Sequence, residues 1–159
     1  MRNMAVTYTL DAVRERRKTV TRRKGWTFLK PGDRLRLVEK GMGLKKGERV
    51  VPVATVEVVS VKREPLLLVA RSGEVEREGF LNMTAVEFIA AFFTPQNIKP
   101  SDLVTRIEWR YVDPCGACGA IPNPPAWRDA AYPEQVLCQP CVEWGQENFR
   151  RALGIGVTL

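Results

Sequence analysis

The four cysteines are the residues whose chemistry follows most directly from their spacing. They form the pattern Cys-x2-Cys-x19-Cys-x2-Cys at Cys115, Cys118, Cys138 and Cys141, which is close to the zinc-ribbon template. Four thiolates without a histidine give a closed tetrahedral site, so we expect one structural Zn²⁺ and no catalytic metal. The zinc would replace a core that the Pro-rich segment around it is too poor in aliphatic residues to build. The alternative is that the ribbon has a function beyond folding and binds nucleic acid or a protein partner.

A second group of chemically active side chains lies in a basic segment near the N-terminus. From Arg14 to Lys24 the chain carries seven Lys or Arg residues around one Glu, with two threonines inside the run. Residues 1–49 hold 15 basic and 5 acidic residues, net +10, whereas residues 50–159 hold 10 and 13, net −3. Such local charge is typical of phosphate binding. The alternative interpretation is a solvated cationic face.

The sequence contains no histidine. The commonest general base is therefore missing, and any catalysis has to use Lys, Ser or Thr, Asp or Glu, Tyr or Cys. A hydrophobic content of 45% predicts a folded protein with its own core. Because no apolar stretch approaches the roughly 20 residues of a membrane helix and the start does not resemble a signal peptide, we expect a cytoplasmic protein without a membrane partner.

Local patterns predict the strands and helices that would position these groups. Strands are predicted at 6–8, 34–38, 50–61, 66–70 and 103–112 from β-branched runs and polar–apolar alternation. Helices are predicted at 10–17, capped by Thr9, and at 85–93, opened by a capping box of Thr84 and Glu87. The threonines of the basic segment should lie in a loop or at a strand start, because β-branched residues disfavour helix continuation.

These elements predict an α+β fold in two parts. Residues 1–112 should form a small mixed β-barrel with two helices, and residues 113–159 a four-cysteine zinc ribbon with a C-terminal helix at 142–153. The boundary falls at Asp113-Pro114, where the alternating pattern stops.

Three motifs in the first part occur in the order typical of one family. They are Arg17-Lys18-Thr19-Val20-Thr21-Arg22-Arg23, the turn Lys30-Pro31-Gly32-Asp33, and Glu78-Gly79-Phe80 ahead of a helix. Because of these motifs and their order, residues 5–112 resemble the ASCH family, whose fold is a barrel related to the PUA RNA-binding module. The chain departs from the family pattern at Glu15 and Arg16, where the family usually has Gly, and in its appended ribbon.

The resemblance implies two activities. Small bacterial ASCH members similar to this barrel are amidohydrolases of N4-acetylcytidine that use a Lys-x-x-Thr arrangement and a Glu, which implies Lys18 as base, Thr21 as nucleophile and Glu78 as the carboxylate. In those members the Glu directly precedes Asn-Met-Thr, whereas here Leu81 stands at that place and Glu78 lies three residues earlier. A lysine beside a threonine hydroxyl can act as base when burial lowers its pKa.

The other implied activity is nucleic-acid binding, sometimes with RNA cleavage. The expected contacts to single-stranded RNA or a modified nucleotide are Arg17, Arg22, Arg23, Lys24 and Trp26. Trp26 would stack on a base, and the alternative is that it is a core residue at the barrel lid. The leading hypothesis from the sequence is binding, with the amidohydrolase, or a ribonuclease, as the alternative. Convergence of Lys18, Thr21 and Glu78 in a dry pocket would favour the enzyme, and an open basic groove would favour the binder.

Overall fold

The computed structural model describes residues 1–113, 127–128 and 136–137. The chain divides into two compact units, Met1–Tyr111 and Val112–Leu159. In the second unit, the described residues form a short antiparallel pair of strands, β6 (Trp127–Arg128) and β7 (Val136–Leu137). The four cysteines and the predicted C-terminal helix lie outside the described residues, so the zinc ribbon stays a prediction.

The first unit is an α+β structure with a single sheet of five strands. Its strands are β1 (Arg2–Ala5), β2 (Val20–Arg23), β3 (Arg34–Val38), β4 (Pro52–Pro65) and β5 (Leu103–Tyr111). Its helices are α1 (Leu10–Arg14), α2 (Glu74–Arg77) and α3 (Ala85–Phe92), with 3-10 turns at Thr7–Thr9, Leu66–Ala70 and Thr94–Gln96. The sheet is mixed, since β1 runs parallel to β3 and the other neighbours are antiparallel.

The order of the strands in this sheet is β1-β3-β4-β5-β2, so β1 and β2 form its two edges. The sheet curls into a half-barrel, helped by an irregularity in β4 between Val58 and Ser60, where the pairing with β5 shifts. Curling brings the edges together: the Arg23 guanidinium Nη2 on β2 donates to the Ala5 carbonyl on β1 at 2.7 Å. The seam between these edges is where the basic segment lies.

Two apolar clusters hold the elements in place. One is buried between α1 and the sheet and includes Leu35, Leu37, Val56, Ile107 and Trp109. The other is formed by α3, the turn at Leu66–Ala70 and Val104, with Phe88 and Phe93 at its centre. The alternating strand β3 contributes its apolar residues to the first cluster, as its pattern predicts.

Several local predictions are confirmed. Strand β3 has the predicted bounds, and the basic segment enters a strand at Val20 after a loop. Helix α3 begins with the predicted capping box: the Thr84 hydroxyl accepts from the Glu87 amide, and the Glu87 carboxylate accepts from the Thr84 amide. These features depend on contacts within a few residues, which the sequence contains.

Other local predictions are wrong for tertiary reasons. The segment 66–70 is a 3-10 turn because its first amides bind the carbonyls of Asp102 and Pro100 instead of a strand partner. The first strand lies at Arg2–Ala5, not at 6–8, because it pairs with β3 in that register. Helix α1 ends three residues early, since Arg16 takes a positive φ of 59°.

Two further differences concern the helices. The Thr9 side chain does not cap α1; its hydroxyl lies 3.4 Å from the Val6 carbonyl, to which it donates. The unit has a third helix, α2, which the sequence patterns do not predict because it is only four residues long. Within the described residues, no helix is both long and apolar enough to cross a membrane.

Candidate active site

The backbone around Lys18 is fixed by contacts from β5. After α1, the amides of Arg17 and Lys18 both donate to the Ala12 carbonyl, which closes the turn that follows the helix. The Lys18 carbonyl then accepts two hydrogen bonds, from the Trp109 indole at 3.0 Å and from the Tyr111 hydroxyl at 2.7 Å. The start of the Lys-x-x-Thr segment is therefore anchored on the side chains of β5.

The Lys18 side chain is buried, with only 4% of its surface exposed. Its Nζ donates to the Glu78 carbonyl at 2.6 Å and to Glu78 Oε2 at 3.2 Å. Burial lowers the pKa of Lys18 below its ordinary value, and the neighbouring Glu78 carboxylate opposes this shift only in part. A buried lysine with a lowered pKa is suited to accept a proton.

Glu78 lies directly after α2 and is 2% exposed. While Oε2 faces Lys18, Oε1 accepts from Arg22 Nη1 at 3.2 Å. Gly79 follows with a φ of 101°, and its Cα packs so closely on α1 that an added Cβ would lie 3.0 Å from the Ala12 Cβ. Glycine is required here because it adopts positive φ without strain and lets α2 approach α1.

A network of ion pairs behind Glu78 holds Arg22 in place. Arg22 donates to the carboxylates of Glu64 and Glu74, and Arg106 also donates to Glu74, at 2.9 and 3.0 Å. Hydrogen bonds from Arg106, followed by those from Arg22, lower the pKa of Glu74 to about 2 despite its desolvation. The network connects β2, β4, β5 and α2, so it fixes the place of the Glu78 carboxylate from three strands and a helix.

Thr21 is buried on β2, opposite Ile107 of β5. Within the described part of the chain its hydroxyl has no hydrogen-bond partner, although Lys18 and Glu78 line the same cavity. An alternation of side chains along β2 places Thr21 and Arg23 on one face of the strand. This hydroxyl is therefore available to a molecule in the cavity.

The cavity has a volume of about 410 Å³ and lies at the seam between β1 and β2. A volume of this size is within the range of small-molecule sites, roughly 300–1,000 Å³. One wall carries the charged residues and Thr21, and another is aromatic, formed by Phe80, Phe88 and Phe92. The Phe80 and Phe92 rings lie 4.9 Å apart between centroids and offer a surface for a flat group.

The residues predicted from the sequence divide into two groups. Six line the cavity, namely Lys18, Thr21, Arg22, Arg23, Lys24 and Glu78. Arg17 lies outside it and pairs with Glu15, and Trp26 packs on the first apolar cluster and against Phe28. This packing favours the interpretation of Trp26 as a core residue, and base stacking by Trp26 stays a prediction. Leu81, at the position where the ASCH members have Glu, is exposed and outside this cavity.

Sequence reasoning does not assign the aromatic wall or the ion-pair network to the site. The apolar residues of α3 indicate a buried helix face, but their pattern does not show which phenylalanines line a cavity. Glu74 and Arg106 carry no local motif. Within residues 1–113 and the two short strands, no group of three or more His, Cys, Asp or Glu side chains could hold a metal ion.

Fold and site together define an α+β half-barrel protein with a buried Lys–Glu pair facing a cavity of small-molecule size. No family model matches the chain, and no curated protein matches it significantly. Among solved structures, the chain is similar to protein EF3133 from Enterococcus faecalis V583, which is described by the family model DUF984. The two share 20% sequence identity over 65% of this chain and 69% of the other, with a TM-score of 0.46.

Proposed function

We propose that this chain is an ASCH-like amidohydrolase that removes the acyl group from N4-acylated cytidines, with a PUA-like barrel as its catalytic part. The observation that carries the proposal is the grouping of Lys18, Thr21 and Glu78 around one partly enclosed cavity. All three side chains are buried. A partly enclosed cavity is closer to the pocket expected of an enzyme than to an open basic groove, and this supports the hydrolase.

In the proposed reaction, the reactive molecules are those in which Lys18 has lost its proton, a fraction that its lowered pKa increases. The neutral amine takes the proton of the Thr21 hydroxyl as the oxygen attacks the acyl carbon. The C–N bond of the amide then breaks, and the protonated lysine returns the proton to the departing N4 nitrogen. Water hydrolyses the resulting acyl-threonine ester, which releases the carboxylic acid and restores the hydroxyl. Glu78 holds the Lys18 amine at the cavity through its carbonyl and carboxylate.

The cytosine ring would lie against the aromatic wall, because flat rings stack favourably on phenylalanine. The cavity volume is consistent with a nucleoside as the occupant. The four cysteines are proposed to hold one structural zinc ion in the second unit, apart from this chemistry.

The direct test is incubation with N4-acetylcytidine, with cytidine formation followed by chromatography. Lys18→Met and Thr21→Val should each lower kcat by at least about 100-fold, since general base and nucleophile contribute on that scale. The matched controls are Lys46→Met and Thr27→Val, at exposed positions outside the cavity, which should keep full activity. No deacetylation by the unmodified protein would overturn the proposal, and so would an active Thr21→Val.

Binding of single-stranded RNA stays a prediction with less support from the geometry. Arg22 and Arg17 are engaged with carboxylates, so the basic segment presents fewer available cations than its sequence suggests. Fluorescence anisotropy with a labelled RNA at low and high salt checks it, because phosphate binding weakens steeply as salt increases. Absent or salt-independent binding would rule it out.

A further inference from the structure

Among the residues that line the cavity, basic side chains outnumber acidic ones. Four of them are cations, Lys18, Arg22, Arg23 and Lys24, and one is a carboxylate, Glu78. Lys18 and Arg22 are the two cations bound to that carboxylate. Arg23 and Lys24 remain, and among the described residues neither lies within ion-pair distance of a carboxylate.

Arg23 is the more informative of the two. Its Nη2 donates to the Ala5 carbonyl, but its Nε is buried and has no hydrogen-bond partner in the described part of the chain. Burial also lowers the pKa of the guanidinium, with only a partial offset from the charge of Glu78. A buried cationic donor without a partner is unfavourable. Arg23 also lines the cavity.

Lys24 follows directly in sequence and is exposed where it borders the same cavity. A neutral nucleoside would leave both cations without a counterion. An anionic group on the substrate would accept hydrogen bonds from Arg23 and gain the attraction of Lys24, while the rest of the molecule contacts the aromatic wall.

We propose that Arg23 and Lys24 form an anion subsite, so that the preferred substrate carries a phosphate or carboxylate in addition to its flat ring. The reaction on that substrate rests on the proposed function, but the subsite itself does not. A phosphate would make the substrate an acylated nucleotide, and a carboxylate would place the charge on the acyl group.

The experiment separates binding from turnover. Binding is measured by calorimetry with cytidine and cytidine 5′-monophosphate, neither of which has an acyl group to lose. Turnover is measured with N4-acetylcytidine, its 5′-monophosphate and N4-succinylcytidine, which carries its carboxylate on the acyl chain. We expect the monophosphate to bind about tenfold more tightly than cytidine, or one of the two anionic substrates to react about tenfold faster than N4-acetylcytidine. A factor of about ten is the effect of one charge-assisted hydrogen bond.

Two variants assign the preference to these residues. Lys24→Gln and Arg23→Gln should each reduce it by about threefold or more, and Lys46→Gln, which removes the same charge at an exposed loop position, should not. Because Arg23 also bridges the sheet edges, Lys24→Gln tests the subsite without changing a buried contact. The effect of Lys24→Gln on the preference for anionic compounds should be smaller at high salt.

The outcomes distinguish the two proposals. Equal binding and turnover of neutral and anionic compounds would overturn the subsite while leaving the hydrolase in place. Tighter binding of the monophosphate without any turnover would overturn the hydrolase and support the subsite. A preference that survives Lys24→Gln and Arg23→Gln unchanged would show that other residues cause it.

Discussion

Replacement of Glu78 by glutamine is expected to destabilise the protein in a pH-dependent way. The carboxylate is buried and faces two cations, Lys18 Nζ at 3.2 Å and Arg22 Nη1 at 3.2 Å. Breaking a buried ion pair by removing one partner costs about 3–5 kcal/mol. Arg22 keeps its contacts with Glu64 and Glu74, so we expect the lower end, about 3 kcal/mol at pH 7. With a typical total of about 5–15 kcal/mol, Glu78→Gln should still fold at 25 °C.

The pH dependence follows from Lys18. Its folded-state pKa lies below the ordinary value of 10.5, so the unfolded chain binds more protons between the two values and stability increases with pH across that window. Loss of Glu78 removes the contacts that raise the pKa of Lys18, which lowers it further and extends the window to lower pH. The destabilisation by Glu78→Gln should therefore be larger at pH 7 than at pH 10. It shrinks as the pH rises through the folded-state pKa of Lys18, above which this lysine is neutral in both folded proteins.

Urea unfolding at pH 7 and pH 10 measures this difference. Glu76→Gln, an exposed change in α2 just before Glu78, is the matched control and should cost less than about 0.5 kcal/mol. The pH dependence of Glu78→Gln should disappear in a background of Lys18→Met, which removes the titrating group. A destabilisation by Glu78→Gln that is equal at both pH values would refute the assignment of Lys18 as its source.

Three further predictions concern the network, the glycine turn and the metal. Glu74, with a pKa of about 2 against 4.5 unfolded, contributes stability above pH 4.5 that is lost toward pH 2, so the unfolding free energies of Glu74→Gln and the unmodified protein should converge there. Gly79→Ala should cost about 1–3 kcal/mol in urea unfolding, because its φ is positive and the added methyl meets Ala12; unchanged stability would contradict this. The purified protein should hold one zinc per chain by metal analysis, and chelation should leave hydrogen-exchange protection in Met1–Tyr111 intact. Loss of protection throughout would show that the two parts fold as one.

Features set by neighbouring residues were predictable. The capping box needs only Thr84 and Glu87, and the alternation of β3 needs only five residues. The resemblance of Lys18 and Thr21 to the Lys-x-x-Thr arrangement of ASCH members likewise implied which side chains of the basic segment could share a site. Lys18 lies just before β2 and Thr21 lies on it, and both line the same cavity as Glu78.

Features set by distant residues were not predictable. Leu66–Ala70 has the composition of a strand, yet carbonyls more than 30 positions away determine its turn. For the same reason, the sequence suggests more cations available for phosphate binding than the fold provides. The charge of Arg22 is visible in the sequence, but the carboxylates that pair with it lie 42 to 56 positions away.

The sequence by itself determined the α+β composition, indicated the candidate residues Lys18 and Thr21 through a family resemblance, and excluded histidine chemistry. The tertiary structure decided which residues of the basic segment are buried and which partners they have. Burial and long-range pairing turned Lys18 into a base candidate held by Glu78, engaged Arg22 in a network, and left Arg23 and Lys24 facing a cavity. The physical reason is that desolvation and ion pairing depend on which groups the fold brings within a few ångström, and no local pattern encodes those distances.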